Sequence, residues 1–174
     1  MSNNSLNSTE VDILRELQNA LYDAPGVLPA ARGLSLFGEH ALGWMSVAAV
    51  GAVADHEKSR QWIAMGAGAF TAHATSVILK RIVRRRRPHD PRVKIGVGTP
   101  SKLSFPSSHA TSTSAAMVHL ADITGSKLPY AGIPVMMASR MVLGVHYPTD
   151  TLVGALLGTG VARAAINIER NTRD

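Results

Sequence analysis

The sequence predicts an all-α polytopic membrane bundle, and three observations carry that prediction. Apolar stretches of about 20 residues, the length that crosses a bilayer, recur along a chain of 174 residues. Charged residues collect at the two ends and in a few loops. Small residues dominate the apolar stretches and aromatic residues make up only 5% of the chain, a composition suited to close helix packing in lipid. A soluble helical bundle is the weaker reading. It rests on totals alone, since 45% hydrophobic is the share of an ordinary globular chain. The length fits a single domain over 1–174 with polar tails at 1–7 and 169–174. No basic segment followed by an apolar run opens the chain, so no cleavable signal peptide is expected.

The first predicted element is an amphipathic helix over residues 8–22. Thr9 is its candidate N-cap with Asp12 three residues on. Val11, Leu14, Leu17 and Leu21 form its apolar face, with Glu10, Glu16 and Gln18 away from it. Pro25, Gly26 and Pro29 end it. Packing on the bundle is preferred over lying at the membrane surface. Residues 34–54 are a first span, interrupted near its start by Glu39 and His40. The polar stretch 55–60 turns the chain into a second span, 61–82, which holds His73. A basic loop covers 84–104. Three more apolar helices follow at 110–123, 131–145 and 149–168, the first short, rich in Ser and Thr, and expected to face protein. The last carries Gly154 and Gly158 in G-x-x-x-G spacing, which permits a close contact within one bundle or in a homo-oligomer. The total is about five membrane helices after one amphipathic helix.

The formal net charge is +6, which implies an anionic partner. The absence of cysteine excludes disulfides, thiol catalysis and Cys-ligated metals. Polar chemistry concentrates where apolar helices meet loops. Lys80 and Arg87 flank K-R-I-V-R-R-R-R-P; Ser107, Ser108 and His109 lie in P-S-S-H; Arg140, His146 and Asp150 lie in S-R-M-V-L-G-V-H-Y-P-T-D. Helices running up and down bring these junctions to one end of the bundle. Burying such groups costs free energy unless they find partners, so they are expected to satisfy one another around an anion. Three cations suit a phosphoryl group. The helix start at His109 adds backbone N–H donors, and Ser107 adds a hydroxyl. Two histidines suit divided labour, one attacking phosphorus and one protonating the departing oxygen. Asp150, four residues after His146 and across Pro148, is placed to orient an imidazole.

The pattern Lys-x6-Arg-Pro, then Pro-Ser-x-His, then Ser-Arg-x5-His-x3-Asp resembles the type 2 phosphatidic acid phosphatase (PAP2) superfamily. Its motifs cover Lys80 to Asp150, and the helix order extends the likeness to most of the chain. The resemblance implies a metal-independent membrane lipid phosphatase with no cofactor, acting through a phosphohistidine. It implies His146 as nucleophile, Asp150 as its partner and His109 as general acid and then base. Lys80, Arg87, Arg140 and Ser107 would hold phosphate. The family pattern usually has Gly where this chain has Ser108, whose amide survives as a donor while its side chain narrows the pocket. Within the family, the loop from R-R-R-R-P-H-D-P to F-P-S-S-H most resembles actinobacterial members that remove the 5-phosphate of decaprenylphosphoryl-5-phosphoribose. Their product serves cell-wall arabinan synthesis. Undecaprenyl diphosphate, phosphatidic acid and phosphatidylglycerophosphate are the alternative substrates; an inactive anionic-lipid-binding membrane protein is the alternative of another class.

The remaining polar residues have blander readings. His40, His73 and His119 read as structural; Glu39 is a mild functional flag; Trp44 and Trp62 read as core or interface anchors. Arg84, Arg85 and Arg86 are divided between headgroup anchoring and a second phosphate of a doubly phosphorylated lipid, with Arg92, Lys94 and Lys102 as further candidates. One basic cluster without spread aromatic residues disfavours nucleic acid. Crowded cations disfavour a metal. The expected partners are a polyprenyl-linked phosphorylated lipid and membrane lipids. Lys and Arg at the catalytic end favour the cytoplasmic face of a bacterial inner membrane.

Overall fold

The computed structural model describes residues 2–172, with side chains from residue 8 onward. Its helices are α1 (Ser2–Leu21), α2 (Val27–Phe37), α3 (Leu42–Ala54), α4 (Ser59–Val83), α5 (Ser108–Thr124), α6 (Gly132–Val142) and α7 (Pro148–Asn171). Short 3-10 turns lie at Glu39–Ala41, His56–Lys58 and Leu128–Ala131. The described residues hold no strand, only an isolated bridge between Arg86 and Leu103.

The core is a triple of α4, α5 and α7. Ala72, Ala115, Val118, Ala162 and Ile166 pack together there. α5 is buried at every position from Ala110 to His119, as its Ser/Thr-rich composition suggested. The G-x-x-x-G pair is used inside this triple. A Cβ on Gly158 would lie 2.0 Å from the Thr111 carbonyl oxygen, and one on Gly154 would lie 2.8 Å from that of Ser107. Backbone therefore meets backbone, which only glycine permits.

Large apolar side chains stay exposed along the outer faces of α3, α4 and α7, among them Val50, Val53, Ile63, Phe70, Leu152 and Leu156. Contiguous apolar surface of this kind suits lipid. Among the described residues α4 (with the turn before it) and α7 are long and apolar enough to cross a membrane, and the bent pair of α2 with residues 39–54 counts as a third if its halves form one span, fewer than the roughly five expected. α5 and α6 are shorter and packed inside or beside these.

Several expectations change. The span at 34–54 is broken, with its halves inclined by 53°. Glu39 and His40 sit at the break, where His40 and Ala41 take positive φ. α2 begins at Val27 and so includes Pro29, tolerated in a first turn where its missing N–H has no helical partner. The amphipathic helix begins at Ser2, so Thr9 lies inside it rather than at its cap. Its apolar face packs on the bundle, with Val11 and Leu14 buried. Glu10 and Gln18 are buried as well, against expectation. They lie one turn either side of Leu14, on its own face, and each finds distant partners. The Gln18 side-chain amide donates to the carbonyls of Lys94 at 2.7 Å and Val142 at 2.9 Å. Of the polar tails, Met1, Arg173 and Asp174 and the side chains of residues 2–7 lie outside the described residues; α7 itself runs on to Asn171.

Candidate active site

A cavity of about 570 Å³ opens where α4 ends and α5 begins. Its walls carry Lys80, Arg87, Ser108, His109, Arg140 and His146. Ala74, Val77, Ile78 and Leu103 give it an apolar side.

His146 is 2% exposed and lies in the short connection before α7. Arg87 places Nη1 3.1 Å from its Nε2. Arginine can only donate, so Nε2 carries the lone pair and the proton sits on Nδ1. Nδ1 faces Asp150 Oδ2 at 3.6 Å. Burial first, then the charges of Arg87, Arg140 and Lys80, hold the imidazole well below its usual range. It is therefore neutral at physiological pH, with its unprotonated nitrogen on the cavity side.

Asp150 occupies the first turn of α7, after Pro148 and opposite the Tyr147 N-cap. The Tyr147 amide donates to its Oδ2 at 2.8 Å, and its carbonyl accepts from the Ser107 amide at 2.9 Å. One residue thus ties the start of α7 to the start of α5. Its other oxygen, Oδ1, accepts from Arg85 Nη1 at 3.1 Å. Arg85 lies over the Tyr147 ring at 4.0 Å and also donates to Glu10 of α1.

The cations divide sharply. Lys80 spends its ammonium on the carbonyls of Leu103, Ser104 and Pro106 at 3.0–3.3 Å, which folds the loop over the cavity. Arg87 donates Nε to Ser101 O at 2.8 Å and Nη1 to Val145 O at 2.7 Å. Burial brings its guanidinium down to about 10, so it stays charged. Arg140 is 2% exposed, yet its Nε and Nη1 have no hydrogen-bond partner among the described residues. A buried guanidinium with open donors beside a cavity is a site for an anion.

His109 presents Nε2 to the Ser35 carbonyl at 2.8 Å. That carbonyl comes from the last turn of α2, where helix carbonyls lack helical partners. A Cβ on Gly38 would lie 2.7 Å from the His109 ring, so the break in the first span makes room for the imidazole. Ser107 is fully buried and caps α5, its Oγ accepting from the Ala110 amide at 3.4 Å. Ser108 is on the cavity wall.

None of Arg84, Arg85 and Arg86 lines the cavity. Arg84 and Arg86 are exposed, and Arg85 turns to the far side of Asp150. Arg92 pairs with Asp12 of α1 at 3.2 Å, and Lys94 with Asp23 in the turn after it at 2.8 Å. The second-phosphate expectation for these side chains does not fit their places. Arg81 was missed. It lines the cavity one residue beyond Lys80, and its place in the basic run was the only available signal. Ser35, Glu39, His40, His73, Thr99 and Ser101 also line it. Glu39 was flagged by its apolar setting; the blander readings of His40 and His73 gave no hint.

A family model described as the PAP2 superfamily matches residues 61–174. The chain is 52% identical over 152 residues to the decaprenylphosphoryl-5-phosphoribose phosphatase of Mycobacterium tuberculosis (strain CDC 1551 / Oshkosh), covering 87% of this chain and 86% of that protein. It is 57% identical over 142 residues to the protein of the same description from Mycolicibacterium smegmatis (strain ATCC 700084 / mc(2)155), covering 82% and 79%. Its fold is similar to the crystal structure of the first transmembrane PAP2 type phosphatidylglycerolphosphate phosphatase from Bacillus subtilis. The TM-score is 0.75 at 20% identity, covering 98% of this chain and 89% of that one.

Proposed function

The chain belongs to the PAP2 superfamily, and from that premise we propose that it removes the 5-phosphate of decaprenylphosphoryl-5-phosphoribose. The product is decaprenylphosphoryl ribose, a precursor for arabinan. The observation that carries this reading is the pairing of a neutral, Asp150-backed His146 with the unpartnered donors of Arg140 beside one cavity. The named relatives, similar over more than four fifths of this chain, supply the substrate.

The 5-phosphate enters among Arg87, Arg140 and the first amides of α5. It draws the Arg87 N–H away from His146 Nε2 and so frees the lone pair. Nε2 attacks phosphorus, the bond to the ribose O5 breaks, and His109 gives that oxygen a proton. The charge that develops on His146 is met by Asp150. Water then attacks the phosphohistidine, yields its proton to His109, and phosphate leaves with His146 neutral again. The Ser35 carbonyl holds a proton on His109 Nε2, and burial with the charge of Arg140 lowers the ring to about 3, so it is neutral before substrate arrives. The proton that Nδ1 passes to O5 is one it takes from the incoming monoanionic phosphate ester. Side-chain cations take the part a metal would play. Lys80 acts through the loop it folds as well as through its charge. The retained phosphodiester has a partner in Arg81 on the cavity wall, and the apolar side takes the start of the polyprenyl chain.

The catalytic end carries most of the Lys and Arg, which favours the cytoplasmic face of the inner membrane. A single Cys introduced at Lys102, in a chain with no Cys of its own, should react with impermeant maleimide only after the membrane is opened.

The decisive assay is phosphate release in EDTA by the purified protein, comparing the ribose lipid with undecaprenyl diphosphate and phosphatidic acid. Preference for the ribose lipid supports the reading. Preference for either other lipid keeps the family chemistry and removes the substrate.

A further inference from the structure

From the contacts behind the nucleophile, we infer that Arg85 and Glu10 are positioning residues, which fix Asp150 and so hold His146 aligned for attack. The inference rests on the histidine mechanism just proposed. Neither residue lines the cavity, so neither touches substrate.

The geometry is specific. Asp150 is fully buried, and its two oxygens have separate duties. Oδ1 is held by Arg85 at 3.1 Å. Oδ2 takes the Tyr147 amide at 2.8 Å and faces His146 Nδ1. Without Arg85 only the Tyr147 amide and the Ser104 hydroxyl would still hold the carboxylate, which is then free to turn about its axis and withdraw Oδ2 from the imidazole. Glu10 answers Arg85 in turn. It accepts from Arg85, from the Thr149 amide at 3.1 Å and from the Thr149 hydroxyl at 2.6 Å. Arg85 also donates to that hydroxyl at 2.7 Å.

Arg85 is thus a cation between two carboxylates, one on α1 and one on α7. Burial alone would raise the Glu10 carboxyl, but the bonds from Thr149 and Arg85 outweigh it and lower it. Glu10 is therefore charged when Arg85 is in place. Removing Arg85 leaves two carboxylates around Thr149 with no cation between them, and such pairs repel. Removing Glu10 instead leaves Arg85 still on Asp150. The two losses should differ in size, and losing both should be milder than losing Arg85 alone.

The test compares wild type with Arg85→Gln, Arg85→Lys, Glu10→Gln and the double Glu10→Gln/Arg85→Gln variant in detergent. Turnover of the ribose lipid is measured together with binding of orthovanadate, which takes up the His nitrogen as phosphorus would. We expect Arg85→Gln to lower kcat about 10- to 100-fold, as loss of a supporting group usually does, with KM unchanged. Vanadate should bind more weakly in the same variant. Glu10→Gln should lose less, Arg85→Lys should recover part of the loss, and the double variant should exceed Arg85→Gln. Equal kcat in all five proteins overturns the inference. So does a double variant whose losses simply add, since that describes helix docking alone. If wild type turns over no lipid phosphate but vanadate affinity follows the expected order, the substrate reading fails and the positioning role stands.

Discussion

His146 has two sides, and they are built differently. On the cavity side, Nε2 meets Arg87, with Arg140 and His109 sharing the wall. Groups here keep open donors, as Arg140 does. On the far side, Nδ1 meets Asp150, and behind it the contacts of Arg85, Glu10, Thr149 and Tyr147 close on one another. The cavity side keeps unpartnered donors, which on the function proposed above a phosphate completes. Behind Asp150 the hydrogen bonds are made, so that the carboxylate holds still, while His146 Nδ1 itself stands 3.6 Å from Oδ2 and closes on it only when the ring becomes charged. Substitutions on the cavity side should therefore disturb both substrate binding and turnover, while those behind should disturb turnover and the capture of vanadate, with KM steady.

The largest effect breaks the pair at its centre. His146→Ala should lower kcat about a million-fold, the scale seen when a nucleophile is deleted, and should abolish trapping of a phosphoenzyme from labelled substrate. Turnover that survives this change would mean direct attack by water. Asp150→Asn comes next. It should cost about 10³- to 10⁴-fold in kcat through the wrong tautomer, with KM steady. A rise in KM of similar size would place Asp150 on the cavity side in effect and dissolve the comparison.

Arg140→Gln tests the cavity side. It should lower kcat/KM about 10²- to 10³-fold and also weaken binding of inorganic phosphate, which Asp150→Asn should not do. A separate prediction concerns pH. Because burial and neighbouring cations hold His146 low, its protonation needs acid well beyond the ordinary imidazole range. With 4-nitrophenyl phosphate, whose leaving group needs no proton, the phosphorylation burst should stay level from neutral pH to about pH 5.5. A midpoint near the unperturbed value of about 6.5 would show that the cations do not act on this ring.

The same division explains what the sequence could reveal. His109, Arg140, His146 and Asp150 were legible because a Ser-rich helix start, a lone Arg and an imidazole amid apolar residues are costly unless used. The all-helical membrane bundle was legible from where the charges gather. Glu10 and Arg85 were not. Each looks ordinary in its own segment, one an acid on an amphipathic helix, the other one Arg among four. Their meeting spans 75 positions, and no local pattern reports a contact of that range. The break at Gly38 was half legible. Glu39 and His40 marked an interruption, but the need to seat His109 against Ser35 could come only from α5.

The smallest expected effects belong to the outward arginines, and they sharpen the comparison by dividing the basic run. Arg84 and Arg86 are exposed and off the cavity, whereas Arg81 is on its wall. If Arg84 and Arg86 serve only the headgroup region, Arg84→Gln and Arg86→Gln should change KM by no more than about twofold, in keeping with exposed charges. Arg81→Gln should raise KM severalfold at constant kcat, the mark of a contact made equally in the ground and transition states. The contrast should vanish on a water-soluble monophosphate, which has no second phosphate to lose. If Arg84→Gln or Arg86→Gln matched Arg81→Gln on the lipid and not on the soluble ester, the second phosphate would reach beyond the cavity. The loop from Arg84 to Arg87 would then be part of the substrate site and not only its frame.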